Sequence, residues 1–156
     1  MAKLVVGGTA IISGHAPADV WKFMIDPTTL YLWVADVNRP GGWLSDGNAE
    51  TVGSEYRIDC EHGRKTNEIV FRLIASEPGK TIAVDTVRGP FPVKFWYSLN
   101  GVSDDQSTSV DWNEEARSDN FLSALGFYLT GWIAKPMMRK RMNKEFVELQ
   151  SALNAV

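Results

Sequence analysis

Apolar and polar positions alternate in several ways along this chain, and each rhythm predicts a different element. From about Lys3 to Ser13 a β-rich run predicts a first strand. Pro17 then fits the first turn of a helix, where its missing N–H costs nothing, and Asp19 favours the same turn through the helix dipole. Val20, Phe23 and Met24 share one face of that helix, with Trp21 and Ile25 on the adjacent one. Asp26-Pro27 stops it, and Pro27 can open a second short helix that carries Leu30 and Trp33 to the same core.

Between about Val34 and Ala116 the rhythm shortens to two, and turn residues break it at regular intervals, which predicts an antiparallel meander. The expected strands run over 36–43, 53–61, 65–76, 81–88, 93–100 and 108–116, making a seven-stranded sheet with the first. Strand parity assigns one face to Tyr56, Ile58 and Cys60, then Ile69, Phe71 and Leu73, then Ile82 and Val84. Phe95, Tyr97 and Leu99, followed by Val110 and Trp112, continue it, so one face is apolar and aromatic. Beyond a cap at Ser118-Asp119-Asn120, the chain reads as helix to Leu153, kinked at Pro136. Its buried side carries Leu122, Leu125, Leu129, Trp132, Met138, Met142, Phe146, Leu149 and Leu153. Lys135, Arg139, Lys140, Arg141 and Lys144 are assigned to solvent.

Composition narrows the setting. The 156 residues suffice for one sizeable core, so a single domain over 1–156 is expected. Sixteen basic residues against nineteen acidic give a net charge of −3, which argues against a nucleic-acid partner. Cys60 is the sole cysteine, so no internal disulfide forms and a reducing, cytoplasmic setting fits best. The N-terminal residues imitate a secretion signal, but Gly7, Gly8 and Thr9 interrupt the apolar stretch and suit a strand instead. The apolar run 121–134 is too short and too interrupted for a transmembrane segment.

The order of elements and the residues Ala16-Pro17, Val20-Trp21, Asp26-Pro27, Leu30, Trp33 and Gly53 carry a resemblance over the whole chain. So do the run from Ser107 to Trp112 and the helix from Arg141 to Leu153. The chain resembles the START-like, or SRPBCC, superfamily, and within it the polyketide cyclase/dehydrase and lipid-transport group. That resemblance implies an α+β helix-grip fold: a curved seven-stranded antiparallel sheet, two short helices and a long C-terminal helix around an apolar cavity. It implies a hydrophobic small-molecule ligand such as a lipid or polyketide, and in some members cyclisation or dehydration. Co-chaperone-like and toxin-like members make an interaction protein a further alternative. The glycine-rich loop of the allergen-type plant members is not matched in Leu44 through Gly53.

Candidate chemistry is sparse. Cys60 and His62 share a strand face, but a buried thiol and a hairpin-tip histidine are the simpler reading, and His15 reads as a surface or capping residue. Two scattered histidines suggest no metal site, and no cofactor is expected. The parity of Val110 and Trp112 makes Glu114 the inward member of Glu114-Glu115, where desolvation would suit it to proton transfer. The simpler expectation is that the strand ends there and both glutamates are solvated. Trp21 and Trp33 are assigned to the core, and the Arg88 to Pro92 loop to a stiff connection, with gating as the alternative. The expected ligand contacts are Tyr56, Ile58, Phe71, Val84, Tyr97, Trp112, Leu125, Leu129 and Trp132, with Glu114 and Tyr56 as candidate proton-transfer groups.

Overall fold

In the computed structural model of the chain, residues 2–90, 92–104, 106–118 and 121–156 are described; for residues 2, 62, 118 and 121–133 the description covers the backbone only. Strand β1 (Ala2–Ile12) leads into helix α1 (Pro17–Ile25). Strands β2 (Gly42–Trp43), β3 (Glu55–His62), β4 (Lys65–Glu77), β5 (Thr81–Arg88), β6 (Val93–Val102) and β7 (Ser107–Ser118) follow, then helix α2 (Phe121–Asn154). They form one seven-stranded antiparallel sheet in the order β1-β7-β6-β5-β4-β3-β2. The first strand therefore lies beside the last, paired from Ala2 with Ser118 to Ile12 with Thr108.

Hairpin chemistry and bulges give the sheet its shape. His62 pairs with Lys65 across a two-residue turn, and Gly63 takes the left-handed φ of 64° that such a turn needs. Register shifts between Val70 and Phe71 and between Leu73 and Ala75 interrupt the β4–β5 ladder, the kind of irregularity that bends a sheet. The shift also explains why Ile69, Val70 and Phe71 are all buried in succession, against strict alternation.

One face of the sheet is a charge ladder. Glu55, Arg72, Asp85, Lys94 and Glu115 are successive cross-strand partners from β3 to β7, so opposite charges sit directly opposite each other. Ion pairs of Arg72 with Glu55 and of Arg117 with Asp85 lie on this side. The other face holds the core, where Leu73, Val110 and Trp112 are fully covered, and α2 packs there through Met142, Phe146, Leu149 and Leu153. Each of those side chains contributes roughly 1.5–3 kcal/mol by leaving water. The end of α2 is pinned to β1, because Gln150 both accepts the Ser13 N–H and donates to the Ser13 carbonyl. His15 meets Asn154 at 2.8 Å, at the surface junction where it was expected.

Two expected elements differ. The strand over 36–43 shrinks to Gly42–Trp43, plus a lone bridge from Val37 to Cys60. Asp36 sits at a φ of 66°, Pro40 has no N–H to offer, and Gly41 lies so close to β3 that a Cβ would strike the Arg57 carbonyl. The second short helix is a single 3-10 turn, Leu30–Leu32, because the Asp26 carboxylate caps the Thr28 N–H and Thr29 folds its hydroxyl back onto the Phe23 carbonyl. The long helix is one element with Pro136 inside it, as expected. Of the expected cap, Asp119 and Asn120 lie outside the described residues, while Ser118 is the last residue of β7. Phe91, at the centre of the expected gate loop, also lies outside them. Among the described residues no helix is long and apolar enough to cross a membrane.

Candidate functional site

Between the sheet and α2 lies a cavity of about 260 Å³. Its floor follows from strand periodicity, since Tyr56, Ile58 and Cys60 on β3, Phe71 on β4, Val84 on β5 and Phe95 and Tyr97 on β6 all point to one side. The rings form a connected aromatic sheet: Tyr56 to Phe71 at 5.6 Å, Phe71 to Phe95 at 6.4 Å and Phe95 to Tyr97 at 6.2 Å between centroids. Met24 and Ile25 of α1, then Leu30, Trp33 and Val34, close one end.

Of the contacts expected from sequence, Tyr56, Ile58, Phe71, Val84 and Tyr97 stand together on the cavity wall, as does Glu114. Trp112 does not. It is buried against Phe146, with centroids 6.4 Å apart, and its ring fills the space that the missing side chain of Gly8 leaves on β1. The side chains of Leu125, Leu129 and Trp132 lie outside the described residues. Trp33, assigned to the core from sequence, is buried in it and also lines the cavity, while Trp21 is a core residue whose indole donates to the Thr81 carbonyl.

The cavity also carries charge. Strand β7 does not end at Glu114: it continues to Ser118, so Glu114 is held on the inner face at 6% exposure rather than solvated, while Glu115 pairs with Lys3 outside. Burial pushes the Glu114 carboxyl up, and Arg141 partly opposes the rise. Arg141 is thus not confined to the solvent side of the helix. It stands at the cavity wall, half exposed, with Nε 4.0 Å from Glu145 Oε1. Glu145 itself is buried, and its Oε2 accepts the Ala35 N–H at 2.8 Å. Burial pushes Glu145 up to about 7, against the pull of Arg141 and of that N–H, while Glu114 and Asp36 raise it further.

Arg141, Glu145 and Asp36 are among the site residues that the sequence reading missed. Glu145 lies three residues after Met142 and four before Leu149, so its spacing marked it as a polar residue on the buried face of α2. Asp36 gave no such signal. It is one of the few non-glycine residues with positive φ, held between the Ala35 bond to Glu145 and a 2.7 Å bond from the Glu61 N–H to its own carbonyl.

The remaining titratable groups on the wall favour their neutral forms. Desolvation raises the phenols of Tyr56 and Tyr97, and both stay protonated. Burial also pushes the Cys60 thiol up, which removes the thiolate that a Cys-His pair would need. His62's side chain lies outside the described residues.

The layout of strands, cavity and long helix is a START-like, Bet v1-like helix-grip fold. The chain is similar to a START superfamily protein from Mycobacterium smegmatis, at 12% identity with a TM-score of 0.75 and 97% of both chains covered. It is similar to a protein from Thermus thermophilus at 11% identity, with a TM-score of 0.72 and 97% of both chains covered. Ara h 8.0201 shares the fold at 11% identity and a TM-score of 0.70, over 99% of this chain and all of that one. No protein-family model and no curated protein matches the chain.

Proposed function

We propose that this chain, acting as one START-like unit over residues 1–156 in a reducing compartment, binds a hydrophobic small molecule between the sheet and α2. The observation that carries the reading is the void of about 260 Å³ with mostly aliphatic and aromatic walls. Protein interiors are close-packed, and an apolar space of that size left unfilled forgoes contacts along its walls. At ~30 Å³ per water-sized atom it holds about nine non-hydrogen atoms, enough for a short alkyl chain or a small ring system. The START-like resemblance supports the same ligand class. Tyr56, Ile58, Phe71, Val84 and Tyr97 are the proposed contacts, joined by Trp33 and Phe95. Leu125, Leu129 and Trp132 remain proposed contacts from their helical spacing. The reading predicts a saturable one-to-one complex with 1-octanol in an NMR chemical-shift titration; shifts that never saturate contradict it.

A second reading, an enzyme that cyclises or dehydrates a polyketide-like substrate, draws on the two buried carboxyls. Glu114 and Glu145 are both pushed toward the range where a carboxyl can exchange protons at neutral pH. Tyr56, held protonated, serves only as a donor in that scheme.

A further inference from the structure

An apolar cavity discriminates between ligands through the few polar groups on its wall. Among the described wall residues, Glu114, Glu145, Asp36 and Glu61 face one arginine, Arg141. That arginine is a weak counter-charge, since its side chain is 49% exposed and its nearest approach to Glu145 is 4.0 Å. Glu145 has in addition the Ala35 N–H.

Glu114 is different. It is more than nine-tenths buried, it faces the cavity, and among the described residues it has no hydrogen bond and no ion pair. A buried carboxylate without a hydrogen-bond partner is costly, because its desolvation is offset only in part by the distant charge of Arg141. Its position brings it next to Tyr97, since Phe95 is the cross-strand partner of Glu114 and stacks on Tyr97. Glu145 approaches the same ring from α2, where its neighbour Phe146 packs edge-on against Tyr97 at 6.4 Å. Glu145 feels the charge of Glu114 there, and the Tyr97 phenol feels both.

We propose that the ligand is an amphiphile whose basic end, a protonated amine or amidine, lies between Glu114 and Glu145 while its hydrocarbon body packs on the aromatic wall. This rests on the hydrophobic-ligand reading and names the class of molecule. An ammonium group offers three N–H donors and no acceptor, which matches a site with unsatisfied acceptors. An anionic head would meet the acidic wall with Arg141 as the one cation among the described wall residues and the unpartnered Trp33 indole N–H as a neutral donor. A neutral hydroxyl has a single donor for two carboxylates.

The test is isothermal titration of the full chain with octylamine, 1-octanol and octanoate, for the wild type and for Glu114→Gln and Glu145→Gln. Octylamine is expected to bind about 10-fold to 100-fold more tightly than 1-octanol, as charge-assisted hydrogen bonds do, with octanoate weakest. Glu114→Gln removes an unpaired buried charge, so it is expected to fold at least as well as the wild type. It should bring the amine-to-alcohol ratio down to about threefold or less, with Glu145→Gln shifting the ratio the same way. Octanoate binding as tightly as octylamine would make Arg141 the anchor and overturn the proposal, as would an amine-to-alcohol ratio unchanged in both variants. If 1-octanol binds and octylamine gains nothing over it, the basic end is wrong and the hydrophobic cavity stands. If none of the three binds the wild type, both fall.

Discussion

Replacing Glu145 with glutamine should flatten the dependence of stability on pH. In the folded protein burial moves this carboxyl from its ordinary 4.5 to about 7, with Glu114 and Asp36 adding to the rise and Arg141 and the Ala35 N–H opposing it. The folded state therefore holds a proton that the unfolded chain releases more readily. The contribution of the protonated group is fully present below about pH 4.5 and is lost as the pH rises through about 7. At roughly 1.4 kcal/mol per pH unit, that rise corresponds to about 3 kcal/mol. Glutamine keeps an oxygen for the Ala35 N–H, now bonded at 2.8 Å, and removes the charge. The variant should match the wild type near pH 4.5 and exceed it by about 3 kcal/mol near pH 8, a gain in Tm of roughly 6–12 °C for a chain of this size. Urea and thermal unfolding across that range, followed by tryptophan fluorescence, read the difference. Parallel profiles for the two proteins, or a variant that is less stable near pH 8, would refute the reasoning.

Two further substitutions probe the packing and the charge balance. A Cβ on Gly8 would stand 3.0 Å from the Trp112 ring, so Gly8→Ala should cost about 1–3 kcal/mol, and less in a Trp112→Phe background. Equal costs in both backgrounds, measured by urea unfolding, would contradict that packing. Arg141→Leu removes the cation that holds both cavity carboxyls down, so the midpoints of Glu114 and Glu145 in a carbon-13 NMR pH titration should rise. Midpoints that stay or fall would show that Arg141 does not face them.

Much of this arrangement was legible as periodicity. Two-residue alternation put Tyr56 and Ile58 on one face and Arg57 and Asp59 on the other, and a closed β ladder enforces that rule along its whole length. The failures lie where the ladder stops. Val37 and Trp43 made 36–43 resemble a strand, but the left-handed backbone at Asp36 and the imide of Pro40 keep all but two residues from pairing. Trp112 fills the core, and Trp33 combines core packing with a place on the cavity wall, because apolar character alone does not tell a residue facing a void from one filling the core. On α2 the basic residues Lys135, Arg139, Lys140, Arg141 and Lys144 were grouped together as solvated. Yet the spacing of Met138, Met142, Leu149 and Leu153 places Glu145 on the buried face, and Arg141, four residues earlier, beside it. A charged pair is tolerable on that face because a cavity, rather than packed side chains, lies against it.

The central claim concerns where a hydrophobic molecule sits, and isotope-edited NMR on the 1-octanol complex measures that directly. The account predicts nuclear Overhauser contacts from the alkyl chain to the methyl groups of Ile58 and Val84 and to the rings of Phe71 and Tyr97, all on the cavity wall. Contacts confined to the exposed groove between β1 and α2, at Ile11 and Val147, with none to the cavity residues, would contradict it.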